Sequence, residues 1–194
     1  MSAKKTVQKL IVLMFVLTIT TNFAFSDDKV VSGFGLSVDG LWYGSIPSSF
    51  HQEQLPIRSH FTIGGKIIPV SYYFNEKQQF SSGFSLYYTT KSLTWGSSVW
   101  RSFWAIGLTF DYTHNFTNRF SLTGALTPML TLYDQNLDYR PTIRLTLEPN
   151  LNLNPTLEKQ SWLLTFPLSV DLRGDYISLS ATVGLKWNYK RIKI

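Results

Sequence analysis

The sequence contains no cysteine, few charged residues and no apolar run of the length that a membrane-spanning helix needs. The missing cysteine excludes disulfide frameworks, thiolate metal sites and catalytic thiols. Charged residues make up 15% of the 194-residue chain, whereas soluble domains average about 25%. Aromatic residues also make up 15% of the chain, yet mean hydropathy is −0.02, so apolar and polar residues must be finely interleaved. This composition argues against both an ordinary soluble domain and a helical membrane protein.

Residues 1–26 have the pattern of a secretory signal peptide. Three lysines within residues 4–9 precede an apolar run over residues 10–20, which is shorter than the roughly 20 residues of a spanning helix. Small residues at positions 24 and 26 predict cleavage before Asp27. Without these three lysines, the mature chain has 15 basic and 12 acidic residues, a net charge of +3. We therefore expect an exported chain with no nucleic-acid partner.

The mature chain alternates between apolar and polar residues with a period of two, which indicates β-strands. In residues 142–153 the odd positions are Ile, Leu and Pro, while the even positions are Thr, Arg, Glu and Asn. Seven further runs alternate in the same way, over residues 34–43, 61–74, 84–91, 100–112, 120–132, 162–172 and 177–189. Their connections are too short for the crossovers of parallel strands, so the pattern predicts eight antiparallel strands in up-and-down order. Gly64 and Gly65 predict a bulge in the second strand.

Three features indicate that the apolar face of this sheet contacts lipid rather than a protein core. The polar face consists mainly of small residues, which suits a narrow interior better than a water-facing surface. Strands of about 10 to 14 residues can cross a bilayer when they are tilted. Aromatic residues lie toward the strand ends, where an interfacial girdle is expected: Trp42, Tyr72, Tyr88, Tyr112, Tyr139, Trp162, Trp187 and Tyr189. The sequence therefore predicts a transmembrane β-barrel domain over residues 27–194.

In length, strand count and patterning, residues 31–189 resemble the small bacterial outer-membrane β-barrels, such as the OmpA transmembrane domain and OmpX. The resemblance implies location in the bacterial outer membrane, contact with its lipid, including lipopolysaccharide-type lipid, and insertion by the barrel-assembly machinery. We expect no cofactor and no metal. The C-terminus departs from the family pattern, because many such chains end on an aromatic residue, whereas here a basic tail, Lys190 to Ile194, follows Tyr189.

An even number of strands places both ends of the chain on the periplasmic side. The segments at residues 44–59, 92–98 and 134–138, together with the turn at Gly174, then face outward and offer surface for an extracellular partner. The tripeptide Arg173-Gly174-Asp175 lies at one outward tip and leaves an adhesive role open. A plain Gly-Asp hairpin turn explains the same tripeptide without such a role.

Six charged residues fall on the polar face of the predicted strands: Asp39, Asp111, Arg144, Glu148, Asp171 and Lys186. An eight-stranded barrel is narrow enough to be filled by side chains. Buried charges must be paired because isolated ones are costly, so we expect a lumen closed by salt bridges. The sixth and seventh predicted strands join in a turn centred near residues 157 and 158. The numbers of two residues that face each other across this pair of strands should therefore add up to about 315. This register places Arg144 beside Asp171.

The favoured interpretation is a non-enzymatic barrel with a structural or surface-interacting role. One alternative is a lipid-modifying hydrolase similar to the outer-membrane lipid A deacylases, which need Ser, His and an acid near the outer leaflet. His114 lies in a predicted periplasmic turn, away from that leaflet, and His60 has no evident serine and acid partner. A second alternative is a transporter of small apolar molecules with a lateral opening. Pro128, Pro149 and Pro167 favour this alternative only if they break the strand ladder.

Overall fold

The computed structural model describes residues 31–47, 58–75, 77–90, 102–133, 139–157, 159–173 and 176–190. These residues form nine strand segments: β1 (Val31–Pro47), β2 (Arg58–Tyr73), β3 (Gln78–Thr89), β4 (Phe103–Asn115), β5 (Phe120–Tyr133), β6 (Tyr139–Asn152), β7 (Gln160–Thr165), β8 (Leu168–Arg173) and β9 (Tyr176–Lys190). The predicted signal peptide lies outside the described residues and stays a prediction. Within the described segments, no helix is long and apolar enough to cross a membrane.

The strands close into a barrel. Neighbours pair antiparallel in chain order, and β1 also pairs with β9. β7 and β8 are two halves of one barrel strand, because both pair with β6 on one side and with β9 on the other. The predicted fold, an eight-stranded antiparallel up-and-down β-barrel, is confirmed.

The barrel has two different ends. At one end Gly33 of β1 pairs with Lys190 of β9, so the first and last strands begin and end together there. We call this the terminal end; the short connections at residues 74–77, 116–119 and 153–159 lie at it. The strands join at the opposite end through residues 48–57, 90–102, 134–138 and 174–175, and we call it the loop end.

The period-two pattern becomes an inner and an outer face. Along β6, Arg144 and Glu148 are buried in the barrel, whereas Ile143, Leu145 and Leu147 are exposed on the outside. Among the described residues, buried polar and charged side chains outnumber buried apolar ones several-fold. Soluble proteins have the opposite distribution, with apolar side chains inside. The barrel is polar inside and apolar outside.

The predicted bulge at Gly64 and Gly65 is wrong. Both glycines pair in regular register with β1. The register between β2 and β3 shifts instead between Ile67 and Val70. Pro69 lies in this interval and has no N–H group to donate to the ladder, which accounts for the irregularity.

Two prolines interrupt the ladder without changing its register. Pro167 separates β7 from β8, yet the amide of Phe166 donates to the Pro149 carbonyl at 3.0 Å and the amide of Thr182 donates to the Pro167 carbonyl at 2.9 Å. The residue numbers of paired positions add up to 315 both where β6 pairs with β7 and where β6 pairs with β8, so the register is the same on the two sides of Pro167. The register between β4 and β5 is likewise the same on both sides of Pro128. These contacts do not favour a lateral opening.

Candidate functional site in the barrel lumen

Eight charged side chains of the described residues are buried in the lumen, each at most 5% exposed. Four are basic and four are acidic, so their formal charges cancel: Lys66, Arg144, Arg173, Lys186, Asp39, Asp111, Glu148 and Asp171. The sequence pattern predicted six of them and missed Lys66 and Arg173. Lys66 lies in the least regular strand, and the sequence places Arg173 at an outward tip. A neutral total is what burial requires, because an uncompensated charge in a low-dielectric interior is costly.

Arg144 and Asp171 form a two-bonded ion pair across β6 and β8, where they are direct register partners. The Arg144 Nε donates to Oδ1 at 2.6 Å, and its Nη2 donates to Oδ2 at 2.9 Å. Two further groups approach the same carboxylate. The Tyr43 hydroxyl donates to Oδ2 at 3.2 Å, and the Arg173 Nη2 lies 3.8 Å from Oδ2. Asp171 therefore holds two guanidinium groups and a phenol.

Four more charges meet across the centre of the lumen, and we call them the central ion group: Lys66, Asp111, Glu148 and Lys186. The Lys66 Nζ lies 3.1 Å from the Asp111 Oδ2 and 3.6 Å from the Glu148 Oε2. The Lys186 Nζ lies 3.4 Å from the Glu148 Oε1 and 4.0 Å from the Asp111 Oδ2. These residues come from β2, β4, β6 and β9, so the group bridges separate parts of the barrel wall.

Tyr87 links the Arg144–Asp171 pair to Asp39, and a glycine makes room for it. Its hydroxyl donates to the Asp39 Oδ2 at 3.2 Å, and the Arg144 Cζ lies 4.3 Å from its ring centroid. A Cβ atom at Gly64, the register partner of Tyr87, would lie 2.3 Å from the Tyr87 Cδ1. The absence of a side chain at Gly64 therefore lets the ring lie against the barrel wall.

Aromatic rings and a guanidinium close the lumen at the loop end, and we call them the loop-end cap: Tyr43, His60, Phe103 and Arg173. The Arg173 Cζ lies 4.4 Å from the Phe103 ring centroid, and its Nη2 donates to the Tyr43 hydroxyl. Tyr43 also packs edge-on against His60 and Phe103, with ring centroids 5.9 Å and 5.6 Å apart. All four side chains are buried. The cap and the ion pairs below it leave a lumen filled by side chains.

The two described histidines suggested for a hydrolase lie at opposite ends of the barrel. The His60 Nδ1 lies 2.9 Å from the Thr90 carbonyl oxygen inside the loop end. His114 lies at the terminal end, where its ring packs against Phe116 with centroids 4.8 Å apart. These contacts do not favour a catalytic triad. Nor do the described residues include a group of three or more histidine or acidic side chains placed to hold a metal ion.

The predicted girdle residues lie near the two ends of the strands. Toward the loop end, the Trp42 Nε1 donates to the Ser59 hydroxyl at 3.3 Å, and Tyr88 packs on Trp104 with centroids 4.8 Å apart. Tyr72, Tyr112, Trp162, Trp187 and Tyr189 lie toward the terminal end. There, the ring centroid of Trp187 lies 6.4 Å from those of Trp162 and Tyr189 and 6.0 Å from that of Phe34. Tyr139 begins β6 at the loop end, but its side chain lies outside the description.

The fold and its distribution of polarity define the class of the molecule, a small closed eight-stranded barrel with a polar interior and an apolar exterior. No protein-family model and no curated protein matches the sequence.

The solved structures similar to the chain include the following three. One is Ail, the attachment invasion locus protein of Yersinia pestis, in complex with the heparin analogue sucrose octasulfate. Its sequence is 13% identical to this chain, its TM-score is 0.44, and the match covers 83% of this chain and 98% of Ail. Neisserial surface protein A is 11% identical with a TM-score of 0.48, over 79% and 95% of the chains. The P. putida toluene transporter TodX is 8% identical with a TM-score of 0.19, over 87% and 91%. At these identities and TM-scores, no property of this chain is inferred from them.

Proposed function

We propose that this chain is an integral β-barrel protein of the bacterial outer membrane, with lipid around its apolar face and a lumen closed by side chains. The observation that carries the proposal is the inverted distribution of polarity. Val38 on the outer face is 62% exposed, while Asp111 in the lumen is fully buried. Soluble monomers rarely expose a continuous apolar patch larger than a few hundred Å², so a band around the whole barrel needs a partner. A closed barrel meets lipid without unpaired strand edges.

The length of the strands fits a bilayer. The outward residues of β9 run from Ile177 to Tyr189, a distance of about 40 Å at roughly 3.3 Å per residue. A tilt of about 40° projects this length onto roughly 30 Å along the barrel axis, which covers an apolar band about 25 Å tall and its flanking aromatic residues. Trp162, Trp187 and Tyr189 at one end, with Trp42 and Tyr88 toward the other, lie where such flanking residues belong.

The filled lumen supports a structural or surface-interacting role rather than passage of solutes. In this proposal the terminal end faces the periplasm, and the loop-end segments face outward toward an extracellular partner. Lipopolysaccharide-type lipid surrounds the outward half of the barrel. The barrel-assembly machinery inserts the chain after the signal peptide is removed.

Membrane fractionation and heat-modifiable gel migration test the proposal. We expect the folded protein to sediment with outer membranes and to require detergent for extraction. Unheated samples should migrate faster than boiled ones, because the closed barrel stays compact in detergent. Recovery as a soluble monomer without detergent would rule out the membrane assignment.

A further inference from the structure

The lumen is open at the terminal end, where a cavity of about 310 Å³ lies above the central ion group. We call this cavity the vestibule. Its lining includes five basic side chains and, among the described residues, no carboxylate: Lys77, Arg119, Lys159, Lys186 and Lys190. A space whose described charged side chains are all basic is unlike the rest of the lumen, in which basic and acidic side chains are mixed.

The vestibule combines a buried floor with a neutral polar wall. Lys186 forms part of the floor and is only 3% exposed. The wall carries amide and hydroxyl groups that can donate hydrogen bonds, among them those of Gln79, Ser121, Asn152 and Asn188. Such a lining offers charge and neutral hydrogen bonds in one place, which is how proteins hold oxyanions.

The cations of the rim are not neutralised from below. The eight lumen charges cancel among themselves, and none of the rim residues Lys77, Arg119, Lys159 and Lys190 forms an ion pair with another described residue. The Lys190 Nζ lies 5.1 Å from the centroid of the Tyr73 ring, so it is held over the mouth by an aromatic face.

The sequence around the rim is also basic. The terminal-end connections contain Glu76 and Glu158, which lie outside the described residues, beside Lys77 and Lys159. Arg191 and Lys193 follow Lys190 in the tail. With Asp27, Asp28 and Lys29 before β1 and Arg119 in the β4–β5 connection, the segments at this end of the barrel hold seven basic and four acidic residues.

We propose that the vestibule binds the phosphate group of an anionic molecule. Guanidinium and ammonium groups make their strongest hydrogen bonds to oxyanions, and low-dielectric walls focus the positive potential of a cleft. A volume of about 310 Å³ lies at the small end of ligand pockets, which suits one or two phosphate groups rather than a large ligand. The loop-end cap closes the far end of the lumen, so the anion is bound and does not pass through.

Two sources of phosphate are open to this site. A soluble phosphorylated molecule can enter along the barrel axis, and a phospholipid headgroup can reach the rim from the surrounding leaflet. The site itself rests on barrel geometry, and only the headgroup source rests on the membrane proposal, so failure of the membrane proposal would leave a site for soluble phosphorylated molecules.

Isothermal titration of the folded barrel with pyrophosphate tests the proposal. In a non-ionic detergent we expect saturable binding with a dissociation constant below 1 mM, weakened at least tenfold by 1 M NaCl because of charge screening. A vestibule variant with Lys77, Arg119, Lys159 and Lys190 changed to Gln should bind at least tenfold more weakly. The matched control changes four basic residues near the loop end, Arg58, Lys91, Arg101 and Arg140, to Gln; it has the same net charge and should bind within twofold of the wild type.

A second arm identifies the source of the phosphate. The same titration in nanodiscs of phosphatidylcholine, with and without phosphatidylglycerol, shows whether an anionic headgroup competes with pyrophosphate. Competition assigns the site to headgroups, and unchanged binding assigns it to soluble phosphorylated molecules. Both results support a phosphate site.

A measurement on the unaltered protein keeps the test independent of variant folding. Pyrophosphate should shift the NMR amide signals of Ser121, Asn152 and Asn188, and it should leave those of Thr131 and Thr142 near the loop end unchanged. No saturable binding in either arm, equal losses in the two four-residue variants, or shifts spread over both ends would overturn the proposal.

Discussion

Arg144 donates two parallel hydrogen bonds, 2.6 Å and 2.9 Å long, to Asp171 on the adjacent strand. Both side chains are almost fully buried in the lumen. The planar guanidinium matches the carboxylate, which a lysine could not do. Asp171 also receives Tyr43 and lies 3.8 Å from Arg173. The two partners of this pair are therefore not equivalent, because one of them serves a larger cluster.

Removing either partner should destabilise the barrel, and removing Asp171 should cost more. Arg144→Ala leaves Asp171 with Arg173 and Tyr43, whereas Asp171→Ala leaves two guanidinium groups without their carboxylate. Loss of one member of a buried pair costs about 3 to 5 kcal/mol, and we expect Asp171→Ala at the upper end of this range. The double variant should cost less than the two single effects added together. Urea titrations of the barrel in lipid vesicles measure these free energies of unfolding.

A neutral pair on the same strands provides the control for this cycle. Thr146 and Ser169 are register partners, and their hydroxyl oxygens lie 2.8 Å apart. Thr146→Val and Ser169→Ala should couple by no more than about 1 kcal/mol, as neutral hydrogen bonds do. Strict additivity for Arg144 and Asp171 would mean that the two side chains do not interact in the folded barrel.

The register of this pair could be predicted from sequence because strand alternation and turn position define it together. In a sheet with one polar face, a slip of one residue would move every side chain to the wrong face. The turn near residues 157 and 158 then leaves one alignment of β6 with the following strand. The bulge in β2 could not be located by the same reasoning. Gly64 and Pro69 both disturb a strand pattern, and only the pairing of β2 with β3 shows that the register shifts at Pro69 and not at Gly64.

Arginine substitutions on the outer face should show the depth dependence of a lipid environment. Leu145 lies near the middle of β6 and Leu151 lies near its terminal end, and both are exposed. Leu145→Arg should cost about 2 to 4 kcal/mol in vesicles, and Leu151→Arg should cost about 0 to 1 kcal/mol. The conservative control Leu145→Met should cost less than about 1.5 kcal/mol. If both arginine variants are as stable as the wild type, the outer face does not contact hydrocarbon.

A methyl group at Gly64 should destabilise the barrel by displacing Tyr87. The added Cβ would lie 2.3 Å from the Tyr87 Cδ1 and 2.4 Å from the Leu86 carbonyl oxygen. Overpacking of this kind costs about 1 to 3 kcal/mol, so Gly64→Ala should lower the free energy of unfolding by this amount. In a Tyr87→Ala background the cost should fall but not vanish, because the Leu86 carbonyl remains.

Gly124 provides a matched control for Gly64. A Cβ atom there would meet nothing within 4 Å, so Gly124→Ala should change stability by no more than about 0.5 kcal/mol. Equal effects at the two glycines would show that backbone propensity, and not the close approach of Tyr87, explains the Gly64 result.

The composition of the lumen was only partly predictable, for a physical reason. Alternation assigns a residue to a face, and this places Arg144 and Glu148 inside. It does not say how far a residue near the end of a strand reaches into the barrel. The sequence places Arg173 at an outward tip, yet its guanidinium turns inward over Phe103. The loop-end cap therefore emerges only from the three-dimensional packing of long side chains.

Because side chains close the lumen at two levels, we expect that the barrel does not conduct ions steadily. The central ion group bridges the lumen, and the loop-end cap covers its far end, so pure wild-type protein in planar bilayers should show no stable conductance steps. Changing all four residues of the central ion group to Ala keeps the formal charge at zero and should still leave the cap closed. Adding Phe103→Ala and Arg173→Ala also removes half of the cap, so reproducible steps, where any variant shows them, should appear only in this six-residue variant. Heat-modifiable migration checks that each variant is folded, and Phe84→Ala on the outer face is the silent control. Large steady steps from the wild-type protein would mean that these side chains do not block the lumen.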